Sequence, residues 1–389
     1  MKHLQVTRLG SRAEQPAGVD PEPAAGTIGG YTYTNGVIGI DPSTGELPDD
    51  PARQFDLAFS NLITLLEKSG ASKDEVGLVT VYIPGSDYRR FINDPWLATF
   101  TDEANRPARK TNHVNLPAGV AVQLQAVAVR GERGRAIESP GLAHRDPLPM
   151  ARRLGSTVFS SVISPEDPGT GKRVEGGPIA QIRRCFDNVK ILMQQAGGSL
   201  DNVEHMWVFL SDFQYQSAMV DEWVRAWPEE GQRPSRKTLR YALGGDTQIQ
   251  VQITGVLGSR RTNYEIPRVY HHDPIPMGTR IGQLFYSSGI SASDPRDDGI
   301  SVVEGLSAQI AQCEENVQAM MEAAGGSLDD VLLTTVLIQD FDAIPAVQDS
   351  WARLFPDAAS RPPLKFIDWR IPGSSHVQYH LVGVMGPQT

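Results

Sequence analysis

The sequence predicts an α+β protein built from three tandem copies of one unit of about 127 residues. Two observations support this prediction. A set of residues recurs at a fixed interval along the chain, and each copy contains the same succession of helix-like and strand-like segments. Each copy is predicted to form a ββαβαβ unit of the ferredoxin-like kind.

The copies are defined by short motifs that keep one register. A glutamine is followed seven residues later by an asparagine in every copy, at Gln54 and Asn61, Gln181 and Asn188, and Gln309 and Asn316. An R-P-x-x box recurs at 106–109, 233–236 and 361–364, and a D-P-x-P box at 20–23, 146–149 and 273–276. A register held across helix, strand and loop indicates duplicated structural units. We place them at residues 1–135, 136–262 and 263–389.

The first helix of each copy is predicted from an apolar face. Segment 55–69 carries apolar residues at helical spacing, and a glycine follows the helix in each copy as a C-cap, at Gly70, Gly197 and Gly325. A strand is predicted next, at 76–83, 203–210 and 331–338, because these runs are rich in β-branched and aromatic residues and are bounded by turn residues.

A second helix and a closing strand complete each copy. The helix carries a tryptophan at one equivalent position, with another aromatic residue four positions later on the same face, at Trp96, Trp223 and Trp351. This recurrence predicts core packing rather than a ligand site. The closing strand is predicted at 121–129 and at the equivalent segments.

Composition excludes several classes of protein. The net charge is -10 and no run of Lys or Arg is longer than a pair, so nucleic acid is not an expected partner. The first thirty residues lack the apolar core of a signal peptide, and no segment has eighteen consecutive apolar residues, so no membrane association is expected and the predicted location is cytoplasmic. Cys185 and Cys313 occupy one repeat position and are predicted to be buried structural thiols.

Metal binding is not predicted. His271, His272 and Asp273 are neighbours, and His376 and His380 lie four residues apart on the last strand, where they would point the same way. None of the spacings typical of zinc sites is present, however. We therefore expect no metal site, and the family resemblance described next implies no organic cofactor either.

The motifs resemble the RidA/YjgF family over nearly the whole length of each copy. The resemblance lies in the Gln-x6-Asn string, a G-x-S-x-D turn, the P-x-R box and a closing strand such as V-Q-L-Q-A-V-A-V. The family implies homotrimers with sheets inside, helices outside and ligand sites in clefts between subunits. Three fused copies are then expected to form a pseudo-trimer from one chain, either monomeric or weakly dimeric.

The resemblance also implies substrate-binding residues. The family arginine that binds a substrate carboxylate falls on Arg109 and Arg236, whereas the third copy has Leu364. A guanidinium suits this role because its planar fork can bind a carboxylate through two hydrogen bonds. The turn whose backbone N–H groups would face the ligand falls on Asn35 and Gly36, Ser161 and Val162, and Ser288 and Gly289.

The catalytic residues implied by the family depart from its pattern. The acidic residue thought to hold the attacking water falls on Gln125, Gln252 and His380. Glutamine can hold a water but cannot act as a base near neutral pH, whereas a neutral imidazole can. By contrast, Arg106, Arg233 and Arg361 recur in all three copies and are predicted to form structural salt bridges.

The function predicted from this resemblance is hydrolysis of a C–N bond in a small carboxylate-bearing imine or enamine, giving a keto acid and ammonia. One alternative is a non-catalytic or regulatory binder of 2-keto acids, and another is a diverged hydrolase of a cyclic or aromatic acid. If the arginine and the turn of a cleft come from one copy, Arg109 is the expected critical residue, because copy one has Gly36 in its turn.

Overall fold

The computed structural model describes residues 4–10, 24–139, 141–371 and 373–386. The first D-P-x-P box, at 20–23, lies outside the described residues. The first repeat contains β1 (Gln5–Arg8), β2 (Ala24–Ile28), β3 (Tyr31–Thr34), β4 (Val37–Ile38), α1 (Pro51–Lys68), β5 (Val76–Ile83), α2 (Asn93–Thr99), β6 (Ala108–His113) and β7 (Gln123–Val129).

The other two repeats follow the same order. The second contains β8 (Gly134–Ile137), β9 (Ala151–Leu154), β10 (Thr157–Ser160), α3 (Gly177–Gln195), β11 (Val203–Leu210), α4 (Gln216–Ala226), β12 (Ser235–Arg240) and β13 (Ile249–Val256). The third contains β14 (Arg261–Tyr264), β15 (Gly278–Ile281), β16 (Leu284–Ser287), α5 (Leu306–Ala323), β17 (Val331–Ile338), α6 (Ile344–Leu354), β18 (Leu364–Asp368) and β19 (Val377–Val384).

Each repeat forms one sheet of the same topology. The strand order is β1-β2-β3-β7-β5-β6 in the first sheet, β8-β9-β10-β13-β11-β12 in the second and β14-β15-β16-β19-β17-β18 in the third, and β4 also pairs with β7. The last strand of each order runs parallel to its neighbour, and the remaining pairs are antiparallel. The three-repeat α+β prediction is confirmed.

The predicted ββαβαβ unit lacked two strands that recur in every repeat, and also the short strand β4 of the first repeat. One is the short edge strand that opens each sheet, and the other is β6, β12 or β18, which starts inside the R-P-x-x box. Strand β6 reads Ala-Arg-Lys-Thr-Asn-His, so its polar side chains hide the apolar alternation that marks a strand. This edge strand carries Arg109, and β12 carries Arg236.

The repeated glutamine and asparagine join the first helix of each repeat to neighbouring loops. Asn188 on α3 donates hydrogen bonds of 2.9 and 2.8 Å to the carbonyls of Ser164 and Glu166. Asn316 on α5 donates bonds of 2.9 Å to the carbonyls of Ser291 and Ser293. These bonds satisfy buried polar groups and fix the segment that follows the turn at Ser161 and at Ser288.

The three sheets face one another in a closed ring. Strand β5 packs against β9 and β10, β11 against β15 and β16, and β17 against β2 and β3. A central apolar core takes members from all three repeats, including Tyr33, Phe159 and Leu284. Helices α1 to α6 pack on the opposite faces of the sheets, where each repeat has its own core. Sheets are therefore inside and helices outside.

The recurrent tryptophans and arginines stabilise the second helix of each repeat. Trp96, Trp223 and Trp351 are buried, as predicted. The predicted salt bridges of the recurrent arginines are wrong for the described residues. Arg106, Arg233 and Arg361 instead donate Nε hydrogen bonds of 3.1, 3.1 and 2.8 Å to the carbonyls of Phe100, Trp227 and Phe355. Each arginine therefore caps the end of the helix that precedes it.

Candidate functional site

Three clefts lie where one repeat meets the next. The first cleft is formed by Arg109 of β6 and the turn at Ser161, the second by Arg236 of β12 and the turn at Ser288, and the third by Leu364 of β18 and the turn at Asn35. The N–H of Arg109 donates to Ser161 Oγ at 3.0 Å, and the N–H of Arg236 donates to Ser288 Oγ at 3.0 Å. The arginine and the turn of a cleft therefore come from consecutive repeats, and the assumption that one copy supplies both is wrong.

The serines of these turns serve as links between repeats. Ser161 and Ser288 each donate a 2.7 Å hydroxyl hydrogen bond to a proline carbonyl of their own repeat, while accepting the arginine N–H of the preceding repeat. Their backbone N–H groups, like that of Asn35, donate to carbonyls beside the sheet at 2.8–2.9 Å. Asn35, Ser161 and Ser288 therefore form hydrogen bonds within the protein. The turn residues that follow them are Gly36, Val162 and Gly289.

The arginine side chains of the first two clefts are buried and oriented by two contacts. Each guanidinium lies over a tryptophan of its own repeat, Arg109 at 4.8 Å above Trp96 and Arg236 at 4.7 Å above Trp223. Each also bonds to the aspartate of the next D-P-x-P box: Arg109 Nη2 lies 3.2 Å from Asp146, and Arg236 Nη2 forms an ion pair with Asp273. The tryptophans therefore support the site as well as filling the core.

Part of each guanidinium has no protein partner. Among the described residues, nothing accepts a hydrogen bond from Nη1 of Arg109 or from Nε and Nη1 of Arg236. Burial lowers the pKa of both arginines to about 10, with the nearby aspartates opposing the shift, so both remain charged at neutral pH. A buried cation with unused donors is a favourable binding group for an anion.

The second cleft opens into a cavity of about 520 Å³. Its walls include Arg236, Lys237, Thr238, His271, Gly289 and Gln378. A Cβ added to Gly289 would lie 2.8 Å from the side chain of Gln378, so the cavity at this point depends on glycine. The equivalent residue in the first cleft is Val162, a branched side chain.

The other two clefts differ from the second. The cavity beside the first cleft measures about 870 Å³ and is bordered by Val162 and Ser164. Arg109 is not among the described residues of its wall. The third cleft has a cavity of about 320 Å³ lined by Leu364, Trp351 and Asn35. Only the second cleft, among the described residues, combines the arginine, the glycine and an open cavity.

A lysine follows the arginine position in every repeat and was missed by the sequence analysis. Lys110, Lys237 and Lys365 are all buried. Each donates to a glutamine of the next repeat: Lys110 Nζ lies 3.5 Å from Gln250 Oε1, Lys237 bonds to Gln378, and Lys365 bonds to Gln123. The signal was present in the sequence, because both the lysine and the glutamine recur at the repeat interval.

Gln125, Gln252 and His380 lie elsewhere, around a central chamber of about 80 Å³ between the sheets. Gln125 accepts a 3.1 Å hydrogen bond from the Tyr82 hydroxyl, and Gln252 donates a 3.2 Å bond to the carbonyl of Ser160. The ring of His380 is 4.6 Å from that of His205, and burial lowers its pKa to about 3, so it is a weak base at neutral pH. The structure does not bring these three residues together with Arg109 or Arg236 in one cavity wall.

The remaining residues discussed from the sequence are the cysteines and the histidines. Cys185 and Cys313 are buried free thiols, and burial raises the pKa of both. His271 lines the second cleft, and burial lowers its pKa to about 3. In the described ranges, no group of three or more His, Cys, Asp or Glu side chains is placed to hold a metal ion.

The architecture defines a class of protein in which three α+β units are fused and form candidate clefts at their contacts. A family model described as endoribonuclease L-PSP matches residues 22–130, 144–255 and 275–369. The chain therefore belongs to this family, in agreement with the RidA/YjgF resemblance, and carries three copies of its unit.

Individual relatives match one unit at a time. A RutC family protein of Aquifex aeolicus is 33% identical over 118 residues, which is 30% of this chain and 93% of the relative. The 2-iminobutanoate/2-iminopropanoate deaminase of Escherichia coli is 31% identical over 117 residues, again 30% of this chain and 91% of the relative.

A solved chorismatase structure resembles the fold across repeats. It covers 80% of this chain and 93% of its own, with a TM-score of 0.57 and 12% identity. This likeness shows the fold alone. Within the described part of the chain, the helices are too short or too polar to span a membrane.

Proposed function

We propose that this protein binds a small 2-imino carboxylate or its enamine in the second cleft and hydrolyses the C–N bond, releasing ammonia and a 2-keto acid. The observation that carries the proposal is Arg236, a buried guanidinium in the wall of an open cavity between two repeats, whose Nε and Nη1 have no acceptor among the described residues. The deaminase relatives support the type of reaction.

Arg236 would bind the substrate carboxylate. Its Nη2 bonds to Asp273 and its flat face rests on Trp223, so the guanidinium is held in one orientation before a ligand arrives. Nε and Nη1 have no hydrogen-bond partner among the described residues and lie on different edges of the guanidinium, so the carboxylate would accept from Nη1 and share Nη2 with Asp273. A fixed guanidinium binds with less loss of side-chain entropy than a mobile one, so the substrate is positioned for reaction.

The reacting carbon would lie over the remaining polar groups of the cavity wall. Gly289 leaves room beside Gln378, whose Nε2 donates a 2.7 Å hydrogen bond to Ser291 Oγ and is therefore fixed. Thr238 Oγ1 has no hydrogen-bond partner among the described residues. These groups can orient a water molecule or a developing charge, and positioning of this kind can supply a large part of the rate.

The deciding experiment is an ammonia-release assay with 2-imino acids generated in situ by an amino acid oxidase. We expect the wild-type chain to accelerate release and Arg236→Ala to lose most of the acceleration. Arg109→Ala is the matched control, because Arg109 has the same tryptophan and aspartate contacts but is not in the described wall of the cavity beside the first cleft. Wild-type turnover by Arg236→Ala would exclude the second cleft as the site.

A second candidate function is binding of 2-keto acids without turnover. It is favoured by one observation: the carboxylate lining the second cavity, Asp273, is paired with Arg236 and also accepts from Gln216, so it is poorly placed to act as a base. Calorimetric titration with 2-oxobutanoate distinguishes the two. Binding with no ammonia release from the corresponding imine would favour the binder.

A further inference from the structure

Among the described residues, the buried amine of Lys237 has no anionic partner. It follows Arg236 on β12 and lines the same 520 Å³ cavity. The salt bridges of the described residues do not include Lys237 or Lys110. Its hydrogen bond goes to the neutral carboxamide of Gln378. A lysine buried in this way gains little stabilisation of its charged form.

The orientation of Gln378 reinforces this arrangement. Because Gln378 Nε2 donates to Ser291 Oγ at 2.7 Å, its Oε1 is the atom that faces the lysine. The same triad recurs in the first cleft, where Gln250 Nε2 donates to Ser164 Oγ at 3.0 Å and Lys110 lies 3.5 Å from Gln250 Oε1. The repeat therefore builds a fixed acceptor for a lysine amine rather than a counter-charge.

Lys237 differs from its two equivalents in what lies beside the amine. Lys110 Nζ is 4.4 Å from the ring centre of Phe209, and Lys365 Nζ is 4.7 Å from that of Tyr82, so an aromatic ring covers each of these amines. The position equivalent to Phe209 and Tyr82 in the third repeat is Leu337. Of the three equivalent lysines, Lys237 therefore lines an open cavity and has an aliphatic residue at the position of the covering ring.

We propose that Lys237 forms a Schiff base with the 2-keto or 2-imino acid held by Arg236 in the second cleft. This inference rests on the proposed function, because it uses the same bound carboxylate. A neutral amine beside an activated carbonyl or iminium carbon is the arrangement that covalent catalysis by lysine requires.

The step balances without a further reactant. Neutral Nζ attacks C2 and forms a C2–N bond. From a 2-imino acid, the original C2–N bond breaks and ammonia leaves; from a 2-keto acid, the C2–O bond breaks and the oxygen leaves as water. Water then adds to C2 of the Schiff base, the bond to Nζ breaks, and the free lysine and the 2-keto acid are regenerated. No oxidation or reduction occurs.

The groups around the amine favour its neutral form. Burial lowers the pKa of Lys237 to about 8. Burial also lowers the pKa of His271 and of His380 to about 3, so neither is charged near neutral pH. The neighbouring Arg236 is paired with Asp273. A substantial fraction of Lys237 is then nucleophilic at mildly alkaline pH.

The test is reductive trapping. The full-length protein is incubated with 2-oxobutanoate and cyanoborohydride, digested, and the modified peptides are identified by mass spectrometry. We expect modification of Lys237 at least about tenfold faster than that of the exposed Lys190, which reports ordinary lysine reactivity. Trapping at Lys190 and Lys237 at equal rates, or no trapping at Lys237, would overturn the proposal.

Variants separate this inference from the proposed function. Lys237→Met should abolish the adduct, whereas the matched Lys110→Met should leave the Lys237 adduct intact. The wild-type adduct map needs no variant, so misfolding of Lys237→Met would not weaken the test. Ammonia release by wild type without any Lys237 adduct would overturn the Schiff base and leave the proposed function standing. An adduct without ammonia release would support the Schiff base and contradict the deaminase.

Discussion

Arg236 and Ser288 belong to different repeats, and the backbone N–H of Arg236 donates to the Ser288 hydroxyl at 3.0 Å. This bond aligns the strand that carries the arginine with the turn that carries Gly289. Arg109 and Ser161 are joined in the same way. Two consecutive repeats therefore supply the residues of each cleft. In the second cleft they supply an arginine, Arg236, and a glycine, Gly289.

Arg236→Ala should weaken binding of a 2-keto acid far more than Arg109→Ala. A desolvated guanidinium–carboxylate pair contributes roughly 2–4 kcal/mol, so the dissociation constant should rise about thirtyfold or more. Calorimetry on both variants measures the difference. Equal losses in the two variants, or none in either, would contradict the assignment of the second cleft.

Gly289→Val should close the second cleft by reproducing the Val162 of the first. A Cβ at Gly289 already approaches the Gln378 side chain to 2.8 Å, and valine adds two methyl groups. We expect ligand binding and turnover to fall at least about tenfold while the fold is retained, since the turn is stabilised by Ser288. The reciprocal control is Val162→Gly. An undiminished Gly289→Val protein would show that the ligand does not approach this turn.

Leu364→Arg should restore carboxylate binding in the third cleft only in part. Phe366 stands where Thr238 stands in the second cleft, and the cavity of the third cleft, about 320 Å³, is smaller than that of the second, about 520 Å³. We expect an additional binding site that is weaker than the second cleft, and titration stoichiometry reports it. A third site of full affinity would show that the arginine alone decides binding.

The rate of Schiff-base trapping should rise with pH through a midpoint near 8. Protonated Lys237 has no lone pair for attack, and its pKa is lowered to about 8 by burial, so the reactive fraction grows from neutral to alkaline pH. Trapping rates measured across this range give the midpoint. A midpoint near the ordinary lysine value of about 10.4 would mean that the reacting amine is exposed.

Lys110 should make the folded state more stable as the pH rises. Burial lowers its pKa to about 7 in the folded chain, whereas the unfolded chain keeps the ordinary value, so the unfolded state binds more protons between about pH 7 and pH 10. Urea denaturation should show the unfolding free energy of wild type rising relative to that of Lys110→Met over this interval. A parallel pH dependence in both proteins would contradict the pKa shift.

The chain should sediment as a single 42.4 kDa protein or a weak dimer, because three fused repeats already close the ring of sheet contacts. A species of about 127 kDa, three times the chain mass, would contradict this expectation.

The sequence predicted the elements whose side chains repeat with a clear period. Strands β5, β11 and β17 have the predicted bounds, and the tryptophans lie in the core. Strand β6 was missed because an edge strand that supplies polar groups to a neighbour lacks apolar alternation. The resemblance placed Gln125 in a cleft, whereas in the structure it lines the central chamber. Gln123, two residues earlier on β7, is the residue that bonds to Lys365 of another repeat.

The family resemblance implied clefts between neighbouring units, but which turn Arg109 meets was not evident from the spacing of the motifs, because it depends on how separate sheets dock. Spacing along the chain defines one repeat but carries no information on which repeat faces which. Lys237 and Gln378 illustrate the same point, since 141 residues separate the two partners. Recurrence at the repeat interval could identify both residues but not their contact.

Leu364 in place of an arginine shows what covalent fusion permits. In an assembly of identical subunits, one gene position specifies all three clefts, so a substitution that removes a binding group removes it everywhere. Here each cleft is encoded by its own stretch of the chain. Selection can therefore preserve one cleft, reshape a second and abandon a third, and an engineer can alter one of them without touching the other two.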